Sequence, residues 1–214
     1  MKKIMLIGSH GMIGQRILNE ALNRGHYVTA LVRDNSSTGE HRANLDYRTG
    51  DIFNPDSVAA AAVGHDAVVS AYGPGAGDPN LVVQAAHSLI AALTRVEPIR
   101  LIWVSGAASL EVKPGVQLVD TPDFPPALKG IALAHREALD VLRKAGFAEF
   151  DWTAVSPPAL IEAGTRTGRY RTGTDQLLVD NKGKSYISAE DFAVAIVDEI
   201  ENPHFQNQRF TVAY

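Results

Sequence analysis

The sequence predicts an α/β protein in which a doubly wound parallel sheet carries helices on both faces. Short apolar runs alternate with longer segments of helical periodicity along the chain, which is the pattern of a parallel sheet with right-handed crossovers. The first apolar run, residues 4–7, leads into Gly8, Gly11 and Gly14 and then into an amphipathic helix. Both observations favour strands that are buried inside the sheet under covering helices.

Each glycine of the first turn has a physical role. Gly8 permits the tight exit from the strand, Gly11 lets the backbone approach a pyrophosphate, and Gly14 lets the helix pack closely on the sheet. The N-terminus of the helix then presents free N–H groups and a partial positive charge to phosphates. A strand, a glycine turn and a helix in this order predict a dinucleotide-binding site, and a glycine turn without a ligand is the alternative.

The end of the second strand, residues 27–32, bears on which dinucleotide binds. An acidic residue at this place binds the ribose hydroxyls of NAD, whereas a basic residue accommodates the additional phosphate of NADP. Arg33 stands here and is followed by Asp34. We therefore predict NADP(H) as the preferred cofactor, with NAD(H) as the alternative. Asp51, after the third strand, is placed to meet the edge of the adenine ring or to form a turn or cap.

The remaining elements follow from periodicity and from turn residues. Further strands are predicted at 47–49, 67–72, 99–104, 152–155 and 209–213. Further helices are predicted at 55–62, 80–94 and 127–145, and after Ser188. Asn54 and Ser188 are expected N-caps, and Asp191 completes a capping-box pattern. The connecting segments are a polar loop at 34–44, a proline-bearing loop at 111–126 and a hairpin within 164–180, where Arg166, Arg169 and Arg171 suggest a basic or merely solvated face.

Composition predicts a single domain, 1–214, because 45% of the 214 residues are hydrophobic. We divide it into a core at about 1–155 and a small substrate-side segment at about 156–186, followed by a C-terminal helix and strand. The net charge of −4 indicates neither a nucleic-acid nor a membrane partner, and no apolar stretch approaches the roughly 20 residues of a membrane helix. The chain has no cysteine, which excludes disulfides and thiolate chemistry. We predict no metal site and a cytoplasmic location.

Residues after the fifth and sixth strands lie where open α/β sheets bind ligands. Ser105 and Ser109 follow the fifth strand and are candidate catalytic residues, with a turn serine as the alternative for Ser105. The sixth strand is followed by Ser156, Pro157, Pro158 and Ala159, which are expected to floor the nicotinamide end of the site. His135 falls on the inward stripe of its helix, where it is either a proton donor or a hydrogen-bonded histidine at the edge of the core.

Several stretches of the chain resemble the atypical short-chain dehydrogenase group. They are GSHGMIG after the first strand, LVR at the end of the second, Gly50-Asp51, VSGAAS after the fifth strand, and the block from SPPALIEAG to SYISAEDFAVAIVDEIENP. Within that group the chain is similar to NAD(P)H-binding proteins of the NADH-flavin reductase and biliverdin-IX-beta reductase type, and to NmrA-like regulators. The resemblance covers essentially the whole chain and implies a Rossmann-like NAD(P)-binding fold.

The resemblance also implies which residues hold the cofactor. They are Gly8, His10, Gly11, Met12, Ile13, Arg33, Asp51 and Ile52, with Ser70, Ala71 and Gly73 near the nicotinamide ribose. Our full set of predicted cofactor residues adds Gly14, Tyr72, Ser105, Pro157 and Pro158.

The chain departs from the group in its proton-handling residues. Typical members use a Tyr-x-x-x-Lys pair, in which the lysine lowers the pKa of the tyrosine. None of the six tyrosines here has a lysine four residues on, and the expected helix carries Lys129 and Leu133 but no tyrosine. The substrate-side histidine of the flavin and biliverdin reductases is also missing, since Ala159 and Leu160 follow Pro158.

Hydride transfer to a flat acceptor needs no such pair. The protein has only to hold a nicotinamide and an acceptor face to face, and free flavins and quinones suit a site without an acid. We therefore predict an NAD(P)H-dependent reductase with a small aromatic acceptor, in which flavin is a substrate and not a tightly bound group. Tyr72, Phe124 and Pro158 are expected to give an apolar platform for a flat ring. A non-catalytic NADP(H) sensor of NmrA type is the alternative, an epimerase or dehydratase is the third choice, and the chain is expected to be a monomer or a homodimer.

Overall fold

The computed structural model describes residues 1–34, 42–96, 99–145 and 150–214. Eight strands form one sheet in the order β3-β2-β1-β4-β5-β8-β12-β10. Neighbouring strands are parallel except for β10 and β12, so the doubly wound parallel sheet is confirmed. The strands are β1 (Lys3–Ile7), β2 (Tyr27–Val32), β3 (Leu45–Thr49), β4 (Ala67–Ser70), β5 (Arg100–Val104), β6 (Glu111–Lys113), β7 (Val116–Gln117), β8 (Asp151–Ser156), β9 (Leu160–Glu162), β10 (Arg171–Gly173), β11 (Tyr186–Ser188) and β12 (Gln208–Ala213).

In the described part of the chain, five α-helices cover the two faces of the sheet. They are α1 (Met12–Asn23), α2 (Pro55–Ala62), α3 (Leu81–Leu93), α4 (Lys129–Ala145) and α5 (Ala189–Glu201). One face packs against α1 and α5 around Ile17 and Phe192, and the other packs against α2, α3 and α4 around Trp103 and Leu89. Because both faces are covered, the inner strands are apolar on both sides, and each large side chain buried there contributes about 1.5–3 kcal/mol. Among the helices in the described ranges, none has the length and apolar character needed to cross a membrane.

The strand order reverses direction beside β1, which has β2 on one side and β4 on the other. A crevice opens at the carboxyl ends of strands where an open α/β sheet reverses in this way. The backbone is so close there that a Cβ on Gly8 would lie 2.5 Å from the carbonyl oxygen of Ala71, and Gly8 also has a φ of +82°. A glycine is therefore required at position 8 by both space and conformation.

The predicted helix caps are confirmed in their main feature. The Asn54 side chain accepts hydrogen bonds from the N–H groups of Asp56 and Ser57, and the Ser188 hydroxyl accepts one from the N–H of Asp191. The reciprocal half of the capping box is absent among the described contacts of Asp191. Its carboxylate instead accepts bonds from Thr167, Gly168 and Tyr214, because tertiary donors reach it.

The predicted hairpin within 164–180 is wrong. Its only strand, β10, pairs antiparallel with β12, the last strand of the chain. The loop predicted at 111–126 contains the small β6–β7 hairpin, and β9 pairs in parallel with β11 in a separate two-stranded sheet. These short strands carry little periodicity, so their pairing depends on partners that are distant in sequence.

Smaller differences concern boundaries. The third strand begins at Leu45, two residues before the predicted start, and β4 ends at Ser70, so Ala71 and Tyr72 lie beyond the strand. The polar loop predicted at 34–44 falls mainly on residues 35–41, which lie outside the described residues.

The arginines of the substrate-side segment do not form a common strand face. Arg166 lies before β10 and donates two hydrogen bonds, of 2.7 and 2.8 Å, to the carboxylate of Glu20 on α1. Arg171, within β10, donates to the carbonyl oxygens of Val179 and Tyr214. These two side chains therefore tie the segment to the body of the protein and are not arranged as one basic surface.

Candidate functional site

The glycine turn is shaped by two close backbone contacts. The Gly11 N–H donates to the carbonyl oxygen of Gly8 at 3.1 Å, and a Cβ on Gly14 would lie only 2.0 Å from that same oxygen. Gly14 is therefore required by the packing of α1 against the turn. A Cβ on Gly11, in contrast, would meet nothing closer than 3.4 Å. The protein leaves space on this side of Gly11, which is where the backbone must stay bare if a pyrophosphate is to approach.

The N-terminus of α1 fits an anion. Its N-cap is Gly11, which has no side chain to bond the first N–H groups, and the first turn contains no acidic residue. His10, Gly11 and Met12 are exposed around this end, and Ile13 is partly exposed. Free N–H groups and a helix dipole at such an end suit a phosphate. The residues present thus fit the pyrophosphate of a dinucleotide.

The predicted adenine end gathers at the carboxyl ends of β2 and β3. Arg33 is exposed directly after β2, and Ile52 is buried after β3. Asp51 is exposed, and one of its carboxylate oxygens accepts the N–H of Phe53 at 2.9 Å. This bond gives Asp51 the turn role that the sequence left open, and its exposure leaves the carboxylate accessible to a ligand.

Tyr72 belongs to this end of the site. Its ring meets the ring of Phe53 edge to face, with centroids 5.6 Å apart. Burial raises the pKa of the Tyr72 hydroxyl, and the nearby charge of Arg33 opposes the shift. Phe124, by contrast, packs with Ala108 in a separate apolar cluster. Tyr72 and Phe124 thus pack against different apolar clusters, and the platform expected from Tyr72, Phe124 and Pro158 stays a prediction.

The predicted nicotinamide end lies at the carboxyl ends of β4, β5 and β8. Ser70, Ser105 and Ser156 are buried there, and within the described part of the chain none of their hydroxyls has a hydrogen-bond partner. Pro157 and Pro158 are buried directly after Ser156. The N–H of Ala71 donates a hydrogen bond to the carbonyl oxygen of Ile7 and so extends the pairing of β4 with β1. Gly73 is exposed.

His135 lies beside this end of the site, as the helical pattern predicts. A Cβ on Gly106 would be 3.0 Å from the Cβ of His135, so the histidine packs directly against the residue that follows Ser105. Burial lowers the pKa of His135 to about 4, and its Nδ1 is buried with no partner among the described residues. His135 is therefore a neutral imidazole at pH 7. It has no proton to give as an imidazolium, which was one of its two predicted roles.

Ser109 has a different environment from that of Ser105. Its hydroxyl accepts a hydrogen bond of 2.7 Å from Arg209 on β12, and Arg209 also pairs with Asp175. This arrangement links the loop after β5 to β12, the strand next to the edge strand β10. A catalytic role for Ser109 stays a prediction, whereas its structural role is visible.

The predicted cofactor residues thus converge on one crevice along the carboxyl ends of β1, β2, β3, β4, β5 and β8. A family model of NAD(P)H-binding proteins matches residues 8–203, a range that contains the glycine turn and all of these strand ends except Ile7. The chain belongs to this NAD(P)H-binding family. The match agrees with the resemblance to the atypical short-chain dehydrogenases.

Solved structures of similar proteins share the fold over the whole chain. A Burkholderia pseudomallei protein, provisionally named an exported protein, is 49% identical with a TM-score of 0.91, and each chain is covered completely. A Bacteroides thetaiotaomicron protein, provisionally named an epimerase, is 38% identical with a TM-score of 0.90 and coverage of 100% and 97%. A Streptococcus pneumoniae protein, provisionally named an NADH-flavin reductase, is 32% identical with a TM-score of 0.86 and coverage of 100% and 99%.

The structure adds two residues that sequence reasoning did not assign, and it gives a third, Ser156, a specific position. Phe53 packs on Tyr72, Gly106 makes room for His135, and Ser156 contributes a buried hydroxyl beside Ser105. The position of Ser156 at a strand end was a usable signal, since Ser105 was chosen on the same ground. The roles of Phe53 and Gly106 depend on contacts between distant segments and had no signal in the sequence.

Proposed function

We propose that this protein is an NAD(P)H-dependent reductase that transfers hydride to a flat acceptor such as a free flavin or a quinone. The observation that carries the proposal is the combination of an NAD(P)H-binding crevice with a neutral, partly buried His135 at its acceptor end. An acceptor that takes its proton from solvent is compatible with this arrangement, whereas a simple carbonyl needs a proton donor as charge develops on its oxygen. The provisional name of the Streptococcus pneumoniae relative supports the same choice.

Each part of the crevice has a task in this reaction. The bare backbone at Gly11 and the N-terminus of α1 bind the pyrophosphate, and Arg33 is placed to bind the additional phosphate of NADP. When it is bound, the nicotinamide supplies the hydride. Pro157 and Pro158 wall the nicotinamide end and exclude water from it. Ser105 donates a hydrogen bond to the acceptor and fixes its orientation.

Two other functions share the same crevice. A redox sensor of NmrA type needs the glycine turn and Arg33 but no acceptor, and it would bind cofactor without turnover. An epimerase is favoured by the provisional name of the Bacteroides thetaiotaomicron relative. Against the epimerase stands the missing Tyr-x-x-x-Lys pair, because none of the six tyrosines is followed by a lysine at the fourth position. The cytoplasmic location and the oligomeric state stay predictions.

The test is NADPH and NADH oxidation by the pure protein with FMN, riboflavin and menadione, alongside direct measurement of binding of both cofactors. Turnover with a flat acceptor supports the reductase. Tight NADPH binding without turnover contradicts it and favours the sensor. The variant Arg33→Ala tests the cofactor preference, and we expect it to weaken NADPH at least about tenfold while NADH changes little.

A further inference from the structure

Besides the hydroxyl of Ser70, three buried polar atoms without partners are found near the acceptor end of the crevice. They are the hydroxyl oxygens of Ser105 and Ser156 and the Nδ1 atom of His135. Ser105 is 3% exposed and Ser156 is 0% exposed, and in the described ranges of the chain none of the three atoms is within hydrogen-bond reach of another polar atom. A buried polar atom without a partner is unfavourable, so the two hydroxyls and the Nδ1 atom call for an explanation.

The sheet register places the two hydroxyls side by side. Val104 of β5 pairs with Val155 of β8, and the N–H of Ser105 donates to the carbonyl oxygen of Val155. Ser105 therefore stands opposite Ser156 on the neighbouring strand, about 5 Å away. Side chains alternate along a strand, so both serines point to the same face as Trp103 and Ala154, which is the face that α4 covers.

His135 completes the group from α4. Its contact with Gly106 brings it next to the residue that follows Ser105. Gly106, Ala107 and His135 are partly exposed, so residues next to the two buried serines reach the surface. At neutral pH the two hydroxyls and the imidazole carry no charge, and together they can donate and accept hydrogen bonds. An uncharged oxygen suits this environment, whereas a carboxylate or phosphate would find no counter-ion among the three groups.

We propose that Ser156 is a further acceptor-binding residue, which together with Ser105 and His135 forms an uncharged subsite for the carbonyl oxygen of a quinone-type acceptor. The inference rests on the proposed reductase function. The hydroxyls donate to the carbonyl oxygen, which gains negative charge as the hydride reduces the ring by two electrons. One proton from solvent then completes the hydroquinone, so NAD(P)H, quinone and a proton give NAD(P)⁺ and hydroquinone.

The stability of alanine variants shows whether the unpartnered hydroxyls serve the fold. If they serve the acceptor and not the fold, replacing them with alanine costs no stability, because an unsatisfied buried group disappears. Ser88 on α3 offers a matched control, since its hydroxyl is likewise buried and unpartnered in the described structure but lies within a helix and not at a strand end. Ser156→Ala and Ser88→Ala thus make the same chemical change in two places.

The experiment compares wild type, Ser156→Ala and Ser88→Ala with NADPH and menadione. For Ser156→Ala we expect kcat/KM for menadione to fall about tenfold, the Kd for NADPH to stay within about twofold, and the Tm to be equal or higher. Ser88→Ala is expected to keep the kinetic constants of wild type. An unchanged kcat/KM in Ser156→Ala overturns the proposal, and so does a tenfold loss that also appears in Ser88→Ala.

A binding measurement separates this inference from the proposed function. If the wild type turns over no acceptor, the reductase function fails, and equilibrium dialysis of menadione against the NADP⁺-saturated protein decides the subsite. Binding that is weakened in Ser156→Ala but kept in Ser88→Ala supports it. Absent binding, or equal binding by wild type and Ser156→Ala, overturns it.

Discussion

His135 of α4 lies against the backbone of Gly106, so that a Cβ added to Gly106 would sit 3.0 Å from the Cβ and 3.3 Å from the Cγ of His135. The contact joins α4 to the residue that follows Ser105, at the carboxyl end of β5. A glycine at position 106 is therefore explained by the histidine, and the position of the histidine depends on the glycine. The pair sets the distance between the helix and the acceptor end of the crevice.

We expect Gly106→Ala to displace His135 and to lower kcat/KM for the acceptor about tenfold, with a loss of about 1–2 kcal/mol in the free energy of unfolding. Steady-state kinetics and urea unfolding measure the two effects. The control is Gly130→Ala on the first turn of α4, where an added Cβ would be 3.5 Å from Pro79 and a helical alanine is favoured. The double variant Gly106→Ala/His135→Gly removes the Cβ of residue 135 together with the ring, so additive stability losses would contradict the proposed contact.

The three glycines of the first turn are expected to separate folding from cofactor binding. Gly11→Ala brings its Cβ no closer than 3.4 Å to the carbonyl oxygen of Gly8, so we expect a stability change under about 1 kcal/mol but an NADPH affinity at least tenfold weaker. Gly14→Ala forces its Cβ against the carbonyl oxygen of Gly8, and we expect a loss of about 2–3 kcal/mol in addition to weaker binding. Thermal unfolding and fluorescence titration measure these quantities. Equal stability losses in the two variants would show that Gly11 is required by the fold.

The stability of the protein should depend on pH through His135. Burial lowers the pKa of His135 to about 4 in the folded state, whereas an unfolded histidine titrates near 6.5. Between these values the unfolded chain binds more protons, so stability falls as the pH is lowered from about 6.5 to 4, by up to about 3 kcal/mol. Urea unfolding of wild type and His135→Asn at pH 7, 6, 5 and 4.5 measures the slope. The variant should show a smaller slope, and His87→Asn, at an exposed position of α3, should show the slope of wild type.

Asp191 should be essential for holding the substrate-side segment. Its carboxylate is fully buried and accepts hydrogen bonds from the N–H groups of Thr167 and Gly168 and from the hydroxyls of Thr167 and Tyr214, at 2.6–2.8 Å. Burial alone would raise the pKa of Asp191, but these donors outweigh it and the pKa is lowered. In Asp191→Asn the side-chain NH2 group faces these N–H and O–H donors. We expect the free energy of unfolding to fall by about 2–4 kcal/mol.

Limited trypsin digestion supplies the local readout for Asp191. In Asp191→Asn the substrate-side segment loses these contacts, so it should be cleaved faster than in wild type after Arg166 and Arg169, which are exposed. The isosteric control is Asp120→Asn, which breaks a surface pair with Arg136 and should cost less than about 1 kcal/mol. Cleavage of Asp191→Asn at the rate of wild type would show that other contacts hold the segment.

The main fold was predictable because its signals are local. The glycine turn, the cap at Asn54 and the alternation of apolar runs with helical periodicity each lie within a few residues of chain, and parallel strands need covering helices between them. Most elements of the central sheet therefore appear close to their predicted bounds. β10 was misplaced because three residues show too little pattern to indicate a partner, and its partner β12 lies some forty residues further on.

The candidate site divides in the same way. The spacing of Gly8, Gly11 and Gly14 and the basic residue after β2 indicate a dinucleotide-binding crevice from the sequence alone. The glycine motif is a local signal because it lies within one strand, one turn and one helix. The acceptor end depends on register and packing between segments far apart in the chain. Only the folded protein sets Ser156 beside Ser105, brings His135 against Gly106, and buries that histidine so that it is neutral, since burial and adjacency are properties of surroundings and not of sequence position.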